Sequence, residues 1–130
     1  MTGTLLRTLT NHTGAVNSVA SIYNTDYIVS GSDDKTIKIW NYTTGELLHN
    51  LTGHSLSVRS VASILNTDLI VSGSDDKTIK IWDYKTGNLS TIFFEASDII
   101  YSVASIINKD LIVSGTKGKI LILQNCTSGE

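Results

Sequence analysis

The sequence has few of the features that mark secreted, membrane or nucleic-acid-binding proteins. It contains one cysteine, Cys126, so no disulfide can form within the chain, as is typical of a reducing compartment. Ten lysine and arginine residues stand against twelve aspartate and glutamate residues, which gives a net charge of −2. This balance offers no basic surface to nucleic acid or to an anionic membrane, so we expect neither as a partner.

Long apolar runs are also absent. No window approaches the roughly 20 apolar residues that cross a membrane as a helix. The N-terminus, MTGTLLRTLTNHTG, lacks the charged region and apolar region of a secretory signal. No segment sustains the 3.6-residue period of an amphipathic helix. These absences favour a cytoplasmic address and argue against a helical fold.

What the chain does contain is a repeat. Residues 24–40, NTDYIVSGSDDKTIKIW, return forty-two positions later at residues 66–82, with one change, from Tyr27 to Leu69. A looser copy covers residues 108–124. Three units, 3–44, 45–86 and 87–128, account for residues 1–130 as a single domain, and we expect no separate catalytic or targeting segment. A fixed period near forty indicates a repeat architecture.

Each unit predicts short β-strands. In the second unit, apolar residues alternate with polar or small ones near residues 46–51, 57–64, 69–73 and 78–82, and Asn, Asp and Gly cluster between these stretches. A four-stranded antiparallel sheet of this length, repeated in tandem, is what a propeller blade requires. The predicted fold is therefore all-β, with three four-stranded antiparallel blades per chain.

Motifs within the units carry a family resemblance. The order His54, then SGSDD at residues 72–76, then IKIWD at residues 79–83 resembles the WD-repeat β-propeller family, and the first unit follows it with Asn11 and Asn41 replacing the expected Gly and Asp. The resemblance implies a buried hydrogen-bond network that ties the turn between strands two and three to the loop before strand one. The network positions are His12, Ser30, Asp34, Trp40, His54, Ser72, Asp76 and Trp82. In the third unit the corresponding residues are Ala96, Ser114, Gly118 and Gln124.

The same serine, histidine and aspartate are the residue types of a hydrolase triad. Catalysis would need an exposed nucleophile, a base within reach and an oxyanion hole. The sequence has no nucleophile-elbow pattern and repeats the set in two units, so we interpret it as structural and keep a hydrolase as a remote alternative. No zinc-type ligand spacing is present, and we expect no metal and no cofactor.

The phase of the repeat predicts self-assembly. Residues 4–9 align with the fourth strand of a blade, whereas the third unit stops after its third strand. That third strand is apolar on both faces, either because its sequence has diverged under relaxed constraint or because it packs against a less hydrated neighbouring surface. We expect the strand at 4–9 to complete the last blade of a neighbouring chain by strand addition. Candidate oligomer contacts are Leu5, Leu6, Leu9, Ile120, Leu121, Ile122 and Leu123.

The number of chains in such a ring follows from the blade count. Propellers have about four to eight blades, so a dimer giving six is slightly preferred to a trimer giving nine. A different protein that supplies the missing blades is a further alternative.

The resemblance also implies a function, that of a rigid platform which partners approach through the loops before strand one and between strands two and three. Asp33 and Asp75 make this face weakly acidic, and Lys117 reverses the sign on the third blade. We expect a non-enzymatic protein–protein interaction scaffold that binds a peptide or protein. The alternative is a self-assembling minimal propeller fragment, natural or engineered, without a dedicated partner. Candidate partner-binding residues are Thr13, Ala15, Asp33, Ser55, Ser57, Asp75, Ser97, Ile99 and Lys117.

Overall fold

The computed structural model describes residues 3–107, 109–118 and 121–125, and within these residues it contains β-strands and no helix. The strands, in chain order, are β1 (Val16–Ser21), β2 (Tyr27–Ser32), β3 (Ile37–Asn41), β4 (Leu47–Leu51), β5 (Val58–Ser63), β6 (Leu69–Ser74), β7 (Thr78–Asp83), β8 (Asn88–Glu95), β9 (Ile100–Ile106), β10 (Leu111–Thr116) and β11 (Leu121–Asn125). The predicted all-β class is confirmed, and the strands of the second unit lie within two residues of their predicted bounds.

The strands form three antiparallel sheets, which we call blades 1, 2 and 3. Blade 1 has the order β1-β2-β3-β4 and blade 2 the order β5-β6-β7-β8. In the part of the chain that the structure describes, blade 3 has three strands, in the order β11-β10-β9. Residues 4–9 form no strand here. The fourth strand that we predicted for blade 3 would come from another chain.

Tight turns at the ends of β3 and β7 carry the repeated Thr-Gly. Gly45 and Gly87 have φ of 81° and 78°, a left-handed conformation that glycine adopts without steric cost. Each turn is closed by an amide that donates to the carbonyl four residues earlier, Gly45 to Asn41 at 2.8 Å and Gly87 to Asp83 at 2.9 Å. The Asn41 carboxamide and the Asp83 carboxylate cap the same turns by accepting backbone N–H bonds.

The core lies between blades. One buried cluster joins Val29, Ile37 and Ile39 of blade 1 to Val58 and Val61 of blade 2. A second joins blade 2 to blade 3, through Val71, Ile79 and Ile81 on one side and Ile100, Val103 and Ile112 on the other. Each blade therefore buries its apolar faces against its neighbours, because a single sheet of this size cannot do so alone.

Two glycines on second strands bring neighbouring blades close together. A Cβ at Gly31 would lie 2.7 Å from Val58 Cγ1, and a Cβ at Gly73 would lie 2.4 Å from Ile100 Cγ2. Serine hydroxyls tie the same interfaces, since Val61 N–H donates to Ser18 Oγ and Val103 N–H donates to Ser60 Oγ, both at 3.1 Å. The interfaces between blades 1 and 2 and between blades 2 and 3 thus have the same design.

The outer faces of blades 1 and 3 repeat these contact surfaces without a neighbour in the chain. Val16 and Val19 of blade 1 are 51% and 69% exposed, whereas their counterparts Val58 and Val61 are 0% and 4% exposed. On blade 3, a Cβ at Gly115 would meet no atom within 4 Å. Each end of the three-blade array therefore presents half of an inter-blade interface.

Candidate functional site

The serine, histidine, aspartate and tryptophan of blade 2 form one hydrogen-bonded chain. His54 Nδ1 lies 2.7 Å from Asp76 Oδ2, and His54 Nε2 lies 2.7 Å from Ser72 Oγ. Trp82 Nε1 donates to Ser72 Oγ at 2.8 Å. The loop before β5 supplies His54, β6 supplies Ser72, the following turn supplies Asp76 and β7 supplies Trp82. The chain of bonds therefore links four separate segments.

Blade 1 repeats this arrangement with its own residues. His12 lies 2.8 Å from Asp34 Oδ2 and 2.7 Å from Ser30 Oγ, and Trp40 Nε1 donates to Ser30 Oγ at 2.9 Å. All eight residues that the sequence singled out thus come together, as two sets of four. Thr36 and Thr78, which the sequence reasoning missed, add hydroxyl donors to Asp34 and Asp76.

Burial and the neighbouring groups favour a neutral imidazole in blade 2. In the tautomer that suits these partners, His54 Nδ1–H donates to the Asp76 carboxylate and His54 Nε2 accepts from the Ser72 O–H, while the Ser72 oxygen accepts from Trp82 N–H. Burial lowers the pKa of His54 and outweighs the attraction of Asp76. Burial alone would raise the pKa of Asp76, but the hydrogen bonds from Thr78 and His54 lower it below its usual value. Every polar atom in the chain of bonds has a partner.

In blade 2 this geometry shares hydrogen bonds with a hydrolase triad but leaves the serine and the histidine buried. Ser72 is 0% exposed and His54 is 6% exposed. The Ser72 oxygen already accepts a hydrogen bond from Trp82, whereas a nucleophile must face the substrate. The arrangement can therefore rigidify the blade, and it presents no reactive atom to solvent.

Blade 3 retains only the serine of this set. Ser114 is 2% exposed, and its hydroxyl has no hydrogen-bond partner among the described residues; the same is true of Gln124 Oε1. The absence of a partner follows from the sequence, because Ala96 and Gly118 stand where the histidine and aspartate would be.

The predicted partner-binding residues lie at one end of all three sheets, which we call the loop face. Three matching backbone bonds connect its loops: Asp33 N to Ala15 O at 2.9 Å, Asp75 N to Ser57 O at 3.0 Å and Lys117 N to Ile99 O at 3.0 Å. Every predicted residue on this face has solvent exposure: Thr13, Ala15, Asp33, Ser55, Ser97 and Lys117 are exposed, and Ser57, Asp75 and Ile99 are half-buried.

Three residues at the loop face escaped the sequence reasoning, namely Asn17, Arg59 and Tyr101. They occupy equivalent positions, forty-two residues apart, and this spacing is the signal that could have revealed them. Asn17 Nδ2 donates to Asp33 Oδ1 at 2.7 Å, and Arg59 holds both oxygens of Asp75 at 2.6 and 2.8 Å. The Arg59 guanidinium also lies 5.9 Å from the centre of the Tyr101 ring.

These partners change the charge expected of the loop face. The hydrogen bond from Asn17 lowers the pKa of Asp33, which therefore stays ionised. The hydrogen bond that Arg59 donates to Asp75 is the main factor that raises the pKa of Arg59. Because Asp75 is paired, blade 2 presents an arginine–carboxylate pair beside an aromatic ring, rather than the unpaired acidic group that the sequence suggested.

The predicted oligomer contacts that the structure describes differ in exposure. Leu5, Leu6 and Leu123 are 78%, 91% and 59% exposed, and Leu9 is half-buried. The backbone of Leu121 and Ile122 pairs with β10. Ile120 lies outside the described residues.

The described residues hold no cluster of three or more potential metal ligands. No helix in the same part of the chain could span a bilayer.

Comparison with known proteins agrees with this geometry. A search of curated proteins finds no significant match. The family model described as "WD domain, G-beta repeat" matches residues 3–41 and 45–83, more than half of the chain. Both matched stretches contain a complete histidine, serine, aspartate and tryptophan set, and the chain belongs to the WD-repeat family.

Proposed function

We propose that this protein is a non-enzymatic interaction scaffold whose blades close into a ring with a second copy of the chain. The observation that carries the assembly is the match between its two outer faces. The residues of blade 2 that pack on blade 1 are repeated without change on the outer face of blade 1, as Val16, Val19, Ile28, Trp40 and Tyr42.

The complementary surface supports the same proposal. Blade 2 receives blade 3 on Ala62, Ile64, Leu69 and Val71, and the corresponding residues of blade 3 are Ala104, Ile106, Leu111 and Val113. Gly115 leaves open the kind of gap that Val58 fills at Gly31 and Ile100 fills at Gly73, and Ser102 stands where Ser18 and Ser60 accept an amide. Blade 1 of one copy therefore suits blade 3 of the next, in a head-to-tail contact that forms a ring if the rotation closes.

The N-terminal segment supports the same direction of assembly. Arg7 donates to the carbonyls of Thr43 and Thr44 in blade 1, at 2.7 and 3.1 Å. His49, forty-two residues later in β4, bonds the carbonyl of Lys85 in blade 2 at 2.9 Å. The segment at 4–9 thus lies against blade 1 much as β4 lies against blade 2, and it takes the place of a fourth strand from a preceding blade.

The scaffold role rests on family membership and on the loop face. Arginine and tyrosine are enriched among residues that dominate binding energy at protein interfaces, and Arg59 and Tyr101 lie together there. We infer a protein or peptide partner at this face and a cytoplasmic setting.

Native mass spectrometry tests the ring. At micromolar concentration we expect a dimer of the 14.1 kDa chain. Val19→Glu should yield monomers, because it places a charge on the outer face of blade 1. Gly115→Ala should weaken the dimer without destabilising the isolated chain. Thr91→Glu is the matched control, since Thr91 is exposed on β8 of blade 2, the central blade of the three. A wild-type monomer, or a ladder of open oligomers, would contradict the closed dimer.

A further inference from the structure

A concave surface lies at the end of the sheets opposite the loop face. It is an open groove of about 600 Å³ between blades 1 and 2, formed by the turns that follow β1, β3, β5 and β7. Its volume is in the range of small-ligand sites. Both blades belong to one chain, so the groove does not depend on ring assembly.

The units 3–44 and 45–86 differ at twelve positions, of which eight lie between residues 4 and 17 and the other four involve this groove. From Ser18 to Thr44 and from Ser60 to Thr86 the units differ at four positions. Each of these pairs contributes one member to the groove lining: Tyr23, Tyr27, Asn41 and Lys85. Three other lining residues, Asn24, Thr25 and Asp26, are identical in the second unit. The groove therefore combines turn residues that both units share with positions at which the units differ.

The substitutions give the groove an aromatic wall. Leu65 and Leu69 occupy the positions in the second unit that Tyr23 and Tyr27 occupy in the first. The Tyr27 ring packs against the buried Tyr84 ring, with centres 6.1 Å apart and planes inclined at 56°, while Tyr23 remains 63% exposed. Tyrosine faces attract cations and stack on planar guanidinium groups.

The charges of the groove favour a cation. Lys85 Nζ lies 3.1 Å from Asp68 Oδ1, so these two lining charges compensate each other. Asp26 also lines the groove, and within the described part of the chain it forms no salt bridge; its side chain accepts only a long hydrogen bond from Tyr42 Oη, at 3.5 Å. A carboxylate without a cation, next to two tyrosines, leaves the groove with one net negative charge.

We propose that this groove binds an arginine side chain of a peptide, with the guanidinium stacked on the tyrosine wall and paired with Asp26. Arginine suits the site better than a neutral ligand because its planar fork matches a carboxylate while its face stacks on aromatic rings. This site is separate from the loop face, so one blade pair would hold two partners at opposite ends.

A titration followed by two-dimensional NMR tests the proposal. The probe is the peptide acetyl-Gly-Arg-Gly-amide, and the reference is the same peptide with citrulline, which keeps the shape and loses the charge. We expect saturable shifts at residues 23–27 and 66–68 with the arginine peptide, and affinity at least about tenfold weaker with citrulline, as for loss of a charged hydrogen-bond pair.

Matched variants come from the repeat itself. Tyr23→Leu and Tyr27→Leu install the residues of the second unit and should each weaken binding about threefold to tenfold, the range for a lost cation–π contact. Asp26→Asn should weaken it about tenfold. Asp110→Asn, at the equivalent position of the third unit, should leave binding unchanged.

Three outcomes would overturn the proposal. They are equal binding of the arginine and citrulline peptides, absence of saturable shifts at millimolar peptide, and shifts at the groove caused by N-acetylglucosamine but not by arginine. Dimer formation is measured separately, so loss of arginine binding in a protein that still assembles would count against the groove alone.

Discussion

At the scale of single residues, one serine in each of the first two blades connects a histidine to a tryptophan. Ser72 Oγ accepts from Trp82 and donates to His54, and all three side chains are buried. Removing this hydroxyl would leave two buried groups without partners, and unpaired buried polar groups are costly.

The repeat provides a matched pair of serine variants. Ser72→Ala should lower the free energy of unfolding by about 1–3 kcal/mol. Ser114→Ala removes a buried hydroxyl that has no partner among the described residues, so it should change stability by less than about 0.5 kcal/mol or increase it. Urea denaturation of both variants measures the difference. Equal losses would contradict the role assigned to the network.

The same network predicts how stability depends on pH. Because burial lowers the pKa of His54 from its ordinary 6.5, the unfolded chain takes up a proton below that pH while the folded chain does not. The free energy of unfolding should therefore fall on acidification, by up to about 1.4 kcal/mol per pH unit for each such proton. Asp34 and Asp76 add a further loss below 3.8, because their pKa values are lowered in the folded state.

Urea denaturation at about pH 7.5, 6 and 5 would show this dependence. If the free energy of unfolding instead increased as the pH was lowered from 7.5 to 5, the folded state would hold a charged His54. His54→Gln should have a shallower pH slope than the wild type, because the titrating group is removed.

At the scale of strands and turns, much of this architecture could be predicted. Alternating apolar residues and Asn, Asp and Gly clusters gave β5, β6 and β7 to within two residues, because burial on two faces imposes period two. The network residues were identified through the family resemblance. The resemblance gave no role to Asn17, Arg59 and Tyr101. Their forty-two-residue spacing marks equivalent positions, but three different side chains there carry no common chemical pattern.

Side-chain pairs between residues distant in the sequence could not be predicted either. Arg59 and Asp75 are sixteen residues apart, and only the antiparallel register of β5 on β6 brings them to the same end of the sheet. The groove between blades 1 and 2 escaped for the same reason, since its tyrosines and carboxylates lie on four turns that meet only after the blades pack.

At the scale of the whole molecule, the two proposed partner sites and the two outer faces lie on different parts of the three blades. The loop face and the groove lie at opposite ends of the sheets. The outer faces of blades 1 and 3 are the sheet surfaces on which a further blade would pack. Substitutions can therefore test the proposed partner binding and the proposed self-assembly separately.

Affinity capture from a lysate tests the loop face. Arg59→Ala combined with Tyr101→Ala should lose proteins that the wild type retains, because it removes the exposed cation and ring. Thr91→Glu, which lies outside both proposed binding sites, is the control and should keep them. Dimer formation by each variant is checked first. If wild type and double variant retain the same proteins, the loop face is not the partner site.

The serine-to-amide bonds between blades have one more consequence. Ser18 accepts from Val61, and Ser60 accepts from Val103. In each of these two interfaces, the serine hydroxyl at the same position of the repeat therefore accepts the same backbone N–H of the following blade. Deleting residues 45–86 would bring the amide of Val103 to Ser18 with the bonding pattern preserved. Gene duplication or unequal recombination between the two near-identical copies can therefore lengthen or shorten the array by a whole blade without a new interface having to evolve.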